Sequence, residues 1–384
     1  MKRVLMTATV PSMIGQFNMN NIKILQELGY KVDVACNFDD YSVWNEERIN
    51  RFENELKELN IRTFNTSFSR SPKNIKKLIN SYIQIKNLLN SRKYTLVHTH
   101  TPISSLITRL AYKHSSIYES CKMVYTAHGF HFFKGNNPIK NLIFRNIEKI
   151  GAKYTDVLIT INKEDYEAAK RFKLKKNGKV EYVPGVGIDL NKINSIKGDK
   201  RSLCKRLGIP LNTTLVLSVG ELNSNKNHKI IIEALSKLPQ DIHYLICGLG
   251  PNKNYYKELA NKLIGTNRLH LLGYREDIIN IMKSCDIFAF PSLREGLGLA
   301  AIEAMASGLP IVTSNRGGIL DYSKNGVTGY SCDPNDMLAF KNAIESLYRD
   351  SKLRQKMSRT NKNLAMNYDI SIIKSRMEEI YKSI

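Results

Sequence analysis

The alternation of short apolar runs with segments of helical period constrains the fold of this 384-residue chain more than any other feature. The apolar runs of the first half lie at residues 3–9, 31–36, 96–99 and 122–126. Those of the second half lie at residues 214–219, 243–247, 269–271, 287–290 and 311–313. Strands that alternate with helices in this way form βαβ units and parallel sheets. The pattern therefore predicts an α/β fold with two doubly wound, Rossmann-like domains.

The length and one loop indicate where the two domains divide. A chain of 384 residues exceeds what a single hydrophobic core ordinarily supports, so two domains of roughly 150–200 residues are expected. Pro184, Gly185 and Gly187 end a predicted strand, and no apolar period resumes before residue 202. We expect a first domain at residues 1–186, a second at 187–368, and a C-terminal helix at 369–384 that packs back on the first domain.

The charge of the chain narrows the classes of partner without choosing one. The formal net charge is +23, and the basic excess is greater in the first half of the chain. Such a balance suits nucleic acid, an anionic membrane surface or a phosphorylated substrate. The chain has no known nucleic-acid-binding motif and no basic stripe with interleaved aromatic residues beyond one helix described below. Nucleic acid is therefore not an expected partner.

The cysteines and the apolar runs both indicate a cytoplasmic protein. The six cysteines are scattered without CxxC spacing, which is typical of buried thiols in a reducing compartment. The first apolar run is too short for a signal peptide and predicts a strand instead. No run reaches the roughly 18 apolar residues of a membrane-spanning helix, because even the stretch 297–312 contains Glu303.

The stretch 290–310 carries the most informative chemistry. A predicted strand leads into a loop in which Gly296 and Gly298 allow close approach of the backbone to a ligand, and a helix follows. The start of such a helix offers amides and the positive end of its dipole to a diphosphate. Glu295 precedes the helix and Glu303 lies on it, about 7–8 Å further along the axis at roughly 1.5 Å per residue. Two carboxylates at that spacing can hold both ends of a nucleotide-sugar; the alternative is a solvated Glu295 and a salt-bridged Glu303.

This stretch resembles the Glu-x7-Glu signature of glycosyltransferase family 4. The flanking segments at 272–275 (Leu-Gly-Tyr-Arg), 285–292 (Cys-Asp-Ile-Phe-Ala-Phe-Pro-Ser) and 308–312 (Gly-Leu-Pro-Ile-Val) are similar to the family's elements and stand in the same order. The resemblance implies the GT-B fold, with two facing Rossmann-like domains and a central cleft. It also implies that Glu295 orients the hydroxyls of the donor sugar and that Glu303 binds the ribose. The residues expected to bind the donor here are Glu295, Gly296, Leu297, Gly298, Leu299 and Glu303.

A second loop, at 219–227, is similar to a family element that follows a strand and ends in lysine. Relatives read Gly-Arg-Leu at its start, and this chain has Glu221 in place of the arginine. The resemblance implies that Lys226 neutralises the leaving phosphate and that Glu221 lies beside the donor. Arg294 or Arg316 could supply the missing second cation. An exposed loop lysine is the alternative for Lys226.

Two histidine motifs follow predicted strands of the first domain. His128, in the segment Thr-Ala-His-Gly at 126–129, matches the histidine that approaches the transferred sugar from the facing domain in this family. His131 is a poorer match. His98 and His100 end another parallel strand, where α/β sheets bind ligands. We expect His100 to line the acceptor cleft, with a structural role as the even alternative.

Three further residues complete the expected donor site. Gly15 stands in the first βα loop, where many relatives have a glycine pair, although a turn glycine is equally consistent. Gly248 begins a Gly-x-Gly-Pro loop that lies close to the nucleotide in the family. Arg275 lies where relatives contact the base.

The segment 70–93 predicts an amphipathic helix with a basic face. It contains seven basic residues and no acidic residue. Such a face attracts anionic lipid headgroups, at about 1 kcal/mol for each basic residue near the surface. The alternative is a packed helix with a solvated lysine face.

The expected activity is retaining transfer of a hexosyl or N-acetylhexosaminyl group from a nucleoside-diphosphate sugar, with a UDP-sugar as the expected donor. The expected acceptor is a lipid-linked glycan, such as an undecaprenyl-diphosphate-linked sugar, in capsule or exopolysaccharide synthesis. The expected location is the inner face of the cell membrane. No metal and no cofactor are expected, because no DxD-type motif is evident. A GT-B sugar-nucleotide epimerase and a non-enzymatic basic polyanion-binding protein are the alternatives.

Overall fold

The computed structural model describes residues 2–384 and divides the chain into two compact α/β units. Unit 1 contains the residues up to Val186 together with Ile373–Ile384, and unit 2 contains Gly187–Ile372. The chain therefore leaves unit 1 once and returns to it. Among the described residues, no helix is both long enough and apolar enough to cross a lipid bilayer.

Unit 1 is built on one parallel sheet. Its strands are β1 (Arg3–Thr7), β2 (Lys31–Cys36), β3 (Arg62–Asn65), β4 (Leu96–His100), β5 (Lys122–Ala127), β6 (Val157–Thr160) and β7 (Lys179–Tyr182). Its helices are α1 (Pro11–Phe17), α2 (Met19–Glu27), α3 (Glu46–Glu58), α4 (Ile75–Ser91), α5 (Pro102–Lys113), α6 (Pro138–Ala152) and α7 (Lys163–Ala169). The seven strands lie in the order β3-β2-β1-β4-β5-β6-β7. Strand β4 is buried along its whole length, as expected for a parallel strand that is covered by helices on both faces.

Unit 2 is built on a second parallel sheet. Its strands are β8 (Thr214–Val219), β9 (Ile242–Cys247), β10 (Leu269–Gly273), β11 (Ile287–Phe290), β12 (Ile311–Ser314) and β13 (Gly329–Cys332). Its α-helices are α8 (Leu190–Ser195), α9 (Lys200–Leu207), α10 (His228–Leu235), α11 (Lys253–Leu263), α12 (Ile278–Lys283), α13 (Leu299–Ala306), α14 (Met337–Arg349) and α15 (Ser351–Ala365). Short 3₁₀ helices lie at Ser224–Lys226, Gly317–Asp321 and Met366–Tyr368. The six strands lie in the order β10-β9-β8-β11-β12-β13.

The last helix, α16 (Ile370–Lys382), carries the chain back into unit 1. Ile373, Met377, Ile380 and Tyr381 are buried on one face of this helix, at the spacing of successive turns. They belong to the same apolar core as residues of β1, β2 and α3. The core of unit 1 is thus completed by residues that are distant in sequence.

The two sheets confirm the predicted fold class, an α/β architecture with two parallel-sheet units. Strand β8 and strand β11 have the predicted bounds, 214–219 and 287–290. Strands β3, β6 and β13, of four residues each, were not among the predicted strands. One local prediction is wrong: the segment around Gly15 is not a loop, because Gly15 lies inside helix α1.

The strand order locates the places where each sheet can bind a ligand. In unit 2 the order reverses between β8 and β11, and in unit 1 it reverses between β1 and β4. In open α/β sheets the connections on the two sides of such a point leave in opposite directions, so a crevice opens at the carboxyl ends of the strands. Ligand-binding residues are therefore expected in the loops after β8 and β11 and in those after β1 and β4.

Candidate active site

The loops after β8 and β11 meet at the switch point of unit 2 through one ion pair. The Nζ atom of Lys226 lies 2.6 Å from Oε1 of Glu295. The two side chains are 21% and 13% exposed, so solvent screens their attraction only in part. The Lys226 ammonium also lies 5.2 Å from the ring centroid of Phe290, the last residue of β11. The lysine and the carboxylate that the sequence assigns to the donor are thus partners of each other.

Backbone contacts hold the two loops in register. The amide of Leu293 donates to the carbonyl of Asn225 at 2.7 Å. The Asn225 side chain in turn donates to the carbonyl of Arg294 at 3.0 Å. Asn225 immediately precedes Lys226, and Leu293 and Arg294 immediately precede Glu295. These bonds therefore fix the positions from which Lys226 and Glu295 extend.

Gly298 forms the start of helix α13 in a conformation that favours glycine. Its φ of 85° is in the left-handed region. A Cβ atom there would lie 2.6 Å from a ring carbon of Phe290 and 2.9 Å from the hydroxyl oxygen of Tyr322. Leu297 beside it is buried and anchors the loop. The loop therefore approaches the sheet more closely than any side chain would allow.

A second glycine pair, which sequence reasoning missed, supports this loop from the other side. Gly317 and Gly318 open the 3₁₀ helix after β12, and the Gly318 amide donates to the carbonyl of Glu295 at 3.2 Å. A Cβ atom on Gly318 would lie 1.9 Å from the carbonyl oxygen of Gly296. Only backbone fits between the two loops. The Gly-Gly sequence, separated by two residues from the end of a buried strand, was the available signal.

Glu303 lies one turn into helix α13 and is half-buried. Burial raises the pKa of its carboxyl to about 6, and the positive charge of Lys192 opposes that shift. The carboxyl therefore changes its charge near neutral pH, unlike an exposed glutamate. Leu299 and Gly296, the other residues expected along this loop and helix, are partly exposed.

The second cation that the resemblance implies is replaced by Glu221, and Arg316 is a nearby arginine that could supply the charge instead. Glu221, where relatives have arginine, is exposed and accepts a hydrogen bond from the side chain of Asn223 at 2.8 Å. Arg316 precedes the Gly317–Gly318 pair and donates to Asp333 at 3.0 Å. Its buried Nε atom has no hydrogen-bond partner among residues 2–384. Arg316 thus lies beside the loop that carries Glu295, with one of its donors buried and unpartnered in the described part of the chain.

The remaining donor-site candidates of unit 2 lie at the carboxyl ends of β9 and β10. Gly248 has a φ of 153°, and a Cβ atom on it would lie 1.9 Å from the carbonyl oxygen of Gly220. The loops after β8 and β9 therefore pack backbone against backbone. Arg275 is paired with Asp277, with nitrogen–oxygen distances of 2.8 and 2.7 Å.

In unit 1, a row of histidines follows the carboxyl ends of β4 and β5. Nδ1 of His100 lies 3.2 Å from Nε2 of His128, and either nitrogen could carry the shared proton. His98 bonds to the hydroxyls of Tyr381 and Thr126, each at 2.8 Å. Burial lowers the pKa of His128 to about 4 and holds the pKa of His100 well below its usual value. Both imidazoles are therefore neutral at pH 7.

The expectation that His100 lines an acceptor cleft is wrong, because its side chain is 0% exposed. Its Nε2 atom is buried without a hydrogen-bond partner among residues 2–384. His128 is partly exposed. Of the two, only His128 can reach a ligand.

Gly15, the remaining candidate, is explained by packing. A Cβ atom on Gly15 would lie 2.4 Å from the ring of Trp44 and 3.2 Å from that of Phe52. Helix α1 therefore needs a glycine there to lie against helix α3 and the loop before it.

A cavity of about 390 Å³ lies at the switch point of unit 1, and sequence reasoning missed it. Residues that line it include Thr9, Ser12, Phe17, Arg70, Thr101 and His131. Thr101 has a φ of 62°, which is strained for a β-branched residue. Its hydroxyl accepts a hydrogen bond from the amide of Thr9 at 3.1 Å, which ties β1 to β4. Nothing in the sequence signals a threonine in that conformation.

Metal ligands are not grouped in the described part of the chain. No three side chains of histidine, cysteine, aspartate or glutamate lie together there in a way that could hold an ion. The six cysteines are free thiols, and five of them are buried.

Comparison with known families and proteins agrees with this geometry. The model of the glycosyl transferases group 1 matches residues 199–364, and that of Glycosyltransferase Family 4 matches residues 15–192. The chain is 30% identical to the putative glycosyltransferase EpsD of Bacillus subtilis (strain 168), over 100% of this chain and 97% of that protein. It is 32% identical to the UDP-Gal:alpha-D-GlcNAc-diphosphoundecaprenol alpha-1,3-galactosyltransferase of Escherichia coli, over 78% of each chain.

A solved structure also matches the whole chain. The crystal structure of Anabaena HepE in complex with UDP superposes with a TM-score of 0.77 at 19% identity, covering 100% of both chains. That likeness shows the GT-B fold class. The two family models, together with the identity to EpsD over the full length, establish that this chain is a glycosyltransferase of family 4.

Proposed function

We propose that this enzyme transfers a sugar, with retention of anomeric configuration, from a UDP-sugar to a hydroxyl of an undecaprenyl-diphosphate-linked glycan. The ion pair of Lys226 with Glu295 at the switch point of unit 2 carries the proposal. It supports the proposal because it brings together one cation, which suits a diphosphate, and one carboxylate, which suits sugar hydroxyls. The UDP donor is supported by the UDP complex of HepE and by the E. coli relative, which is named for a UDP-Gal donor.

Each part of the donor has a proposed partner. The diphosphate lies at the start of helix α13, where the helix dipole favours negative charge. Lys226 and Arg316 neutralise it, and Arg316 directly precedes the Gly317–Gly318 pair that packs against the loop of Glu295. Glu295 orients the hydroxyls of the sugar, and Glu303 accepts hydrogen bonds from the ribose. His128 keeps the contact with the transferred sugar that the family resemblance implies.

The proposed reaction needs no enzyme nucleophile. The bond from the anomeric carbon to the diphosphate breaks while the bond to the acceptor oxygen forms on the same face. The acceptor hydroxyl gives its proton to the departing phosphate. Preorganised positive charge stabilises the leaving group in such a step, and the loss of one such group commonly costs a factor of about 10²–10³ in rate. The chain supplies that charge through Lys226, Arg316 and the helix dipole.

The acceptor and the location rest on a relative. The E. coli galactosyltransferase is named for its acceptor, a GlcNAc-diphosphoundecaprenol. The name of EpsD specifies no acceptor. We extend the lipid-linked acceptor to this chain, together with a role in capsule or exopolysaccharide synthesis. We also propose peripheral attachment to the inner face of the cell membrane, where the enzyme would meet a lipid-linked acceptor.

The family membership favours this proposal over a basic polyanion-binding protein. An epimerase built on the same fold is the remaining rival, and it would convert the nucleotide-sugar without an added acceptor. The two activities separate in one experiment, because only transfer consumes an acceptor.

The donor site is tested by binding and turnover of site variants. Thermal unfolding is measured with UDP-, GDP- and ADP-sugars, because a ligand that binds the native state raises the melting temperature by mass action. We expect the UDP-sugars to give the largest shift. With the best donor, we expect Lys226→Ala and Glu295→Ala each to lower kcat by about 10²–10³.

Lys229→Ala is the matched control. Lys229 pairs with Glu233 at 3.4 Å on the exposed side of helix α10, so this variant breaks an exposed lysine–glutamate pair that does not include Lys226 or Glu295. It should turn over like the wild type. Near wild-type turnover by both Lys226→Ala and Glu295→Ala would refute the assignment of the site.

A further inference from the structure

Helix α6 exposes an apolar crest that no described part of the chain covers. Ile139, Leu142, Ile143 and Ile150 are 70%, 62%, 52% and 48% exposed. They lie on the side of the helix opposite the buried Glu148, Gly151 and Ala152, as the period of 3.6 residues requires. Surface helices ordinarily place polar residues on that side. The crest is therefore a surface that needs a partner.

Helix α4 exposes a similar row. Ile75, Ile79 and Ile83 are 65%, 54% and 48% exposed and follow each other at successive turns. The buried face of α4 consists of Ser81, Ile85 and Leu89. The amphipathic helix predicted at 70–93 is thus present, and its solvent side is apolar as well as basic.

The two rows lie on the same face of unit 1. The connections β3–α4–β4, β4–α5–β5 and β5–α6–β6 all step in one direction across the sheet. Right-handed crossovers that step in one direction place their helices on one face. Helix α5 packs against both α4 and α6, so it lies between them. The exposed residues of α4 and α6 form what we call the α4–α6 surface.

The charges of the α4–α6 surface have one sign. Segment 70–93 contains seven basic residues and no acidic one. Segment 134–153 contains five basic residues, and its one carboxylate, Glu148, is buried. Glu148 pairs with Arg109 at 3.1 Å. Neither segment therefore presents a negative side chain to solvent.

We infer that the α4–α6 surface docks on an anionic lipid bilayer. An apolar crest flanked by lysine and arginine is the pattern of helices that lie in the plane of a membrane interface. A second copy of this chain fits less well, because a symmetric contact would bring two sets of positive charges together. Nucleic acid would match the charge and leave the isoleucines without apolar contact.

The position of the surface also orients the proposed reaction, and this step rests on the proposed function. Helices that follow parallel strands begin at the carboxyl edge of the sheet. The first turns of α4 and α6, with Ile75, Ile79, Ile139 and Leu142, are therefore at the same edge as His128. The cavity lined by Arg70 lies at that edge too. Docking brings the edge to the headgroups, where the diphosphate of a lipid-linked acceptor resides.

Sedimentation with vesicles tests the inference. The full-length protein is mixed with vesicles of phosphatidylglycerol and phosphatidylcholine, or of phosphatidylcholine alone, at about 0.1 M salt, where the Debye length is about 10 Å. We expect sedimentation with the anionic vesicles only. Leu142→Asp/Ile143→Asp and Ile79→Asp/Ile83→Asp should each lower the partition coefficient at least tenfold.

Leu320→Asp/Leu338→Asp is the matched control, since these leucines of unit 2 are 53% and 59% exposed. It should sediment like the wild type. Equal sedimentation of the α6 variant and the control would overturn the inference, as would a dimer that the α6 variant dissociates without any change in vesicle binding. Stabilisation by UDP, measured on the same variants, should be unchanged. If UDP does not stabilise even the wild-type protein, the result counts against the proposed function and not against the docking surface.

Discussion

At the scale of single residues, the bond between Lys226 and Glu295 couples two roles that the sequence assigns separately. The two residues are 69 positions apart and lie within 2.6 Å. In the proposed function, a diphosphate that enters the site would compete with Glu295 for the ammonium group. The carboxylate would then be released to accept hydrogen bonds from sugar hydroxyls. Binding of one end of the donor would thus prepare the contact for the other.

Glu303 provides a prediction about pH. Its pKa is raised from 4.5 to about 6 by burial, so the native state binds more protons than the unfolded state between these values. Stability therefore falls as the pH rises through that window. The charged carboxylate is also the stronger hydrogen-bond acceptor. We expect the affinity for a UDP-sugar, measured by calorimetry, to rise as the pH increases through about 6. The UDP-sugar is used because the terminal phosphate of UDP itself ionises near a pH of about 6.

Glu303→Gln separates these effects. The amide does not ionise, so the pH dependence of the UDP-sugar affinity near pH 6 should disappear. Above pH 6 the unliganded variant should also be more stable than the wild type, because no buried carboxylate has to be charged. An unchanged pH profile in the variant would show that another group titrates.

His100 provides a second prediction, on kinetics. Its hydrogen bond to His128 at 3.2 Å couples the tautomers of the two rings, because only one of the two bonded nitrogens carries the proton. His100→Phe keeps the ring and removes the partner. It costs little stability, because one ring nitrogen of His100 already lacks a partner. We expect kcat to fall about two- to tenfold, the effect of one hydrogen bond of about 0.5–1.5 kcal/mol, with KM for the donor unchanged.

The control for His100→Phe is His270→Phe. His270 bonds to His243 at 3.0 Å in unit 2, near the start of strands β9 and β10 and away from the switch point. Nitrogen-15 NMR of the imidazoles should show a change in the His128 tautomer only for His100→Phe. If both variants retain wild-type kcat, His100 does not position His128.

The residue scale also shows where sequence reasoning ends. The alternation of β4 indicates that His98 and His100 share one face of the sheet, and it places them at a carboxyl end. It does not indicate that Tyr381, from the last helix, lies against His98. The contact that buries His98 joins it to Tyr381, which is 283 positions away in the sequence. Lys226 and Glu295 were recognised as candidates because the loops that carry them directly follow β8 and β11. Glu303 was recognised because it lies on the helix after the second of these loops.

At the scale of elements, glycines decide how closely the loops of unit 2 approach each other. Gly298, Gly248 and Gly318 each leave no room for a Cβ atom beside Phe290 or a neighbouring backbone carbonyl. The loop that carries Glu295 is therefore held by contacts with the sheet and with the loop after β12. Its geometry is set before the donor arrives.

Gly298→Ala tests that rigidity. The new methyl group would clash with Phe290 and Tyr322, so the start of α13 must move. We expect at least a tenfold loss of UDP affinity in calorimetry. Gly326→Ala is the matched control, since Gly326 also has a positive φ, of 73°, with nothing within 4 Å of a Cβ atom. It should lose only about 1–2 kcal/mol of stability and keep its affinity.

Helix α6 shows why some elements escaped prediction. Its apolar residues include the buried Ala152, the partly buried Phe144 and the exposed Ile139 and Ile143, so they surround the axis instead of forming one stripe. A period search depends on contrast between two faces. Where the solvent side is apolar for another purpose, that contrast disappears. Strand β8, buried between helices and bounded by polar residues, was predicted at its observed bounds.

At the scale of the whole molecule, unit 1 depends on a helix that comes after unit 2 in the chain. Four buried side chains of α16 contribute about 1.5–3 kcal/mol each, an upper estimate of about 6–12 kcal/mol in total. A domain has a stability of only about 5–15 kcal/mol. We expect truncation before Ile373 to unfold unit 1, which limited proteolysis would detect as cleavage within residues 2–186.

The same truncation has a built-in control in unit 2. Lys226, Glu295 and Glu303 lie within Gly187–Ile372, which the truncation leaves intact. UDP should therefore still protect this part from proteolysis. Protease resistance of residues 2–186 in the truncated protein would contradict the argument.

The return of the chain through α16 also bears on how the protein is made. Synthesis proceeds from the N-terminus at about 5–20 residues per second, and domains generally fold as units as they emerge. Here unit 2, which is the donor-binding unit in the proposed function, has all of its sequence before Ile373 is added, whereas the first-made unit waits for Ile373–Ile384. The part of the enzyme that begins to be translated first is the last to be finished, so a ribosome-bound chain could hold a donor before it could carry out a transfer.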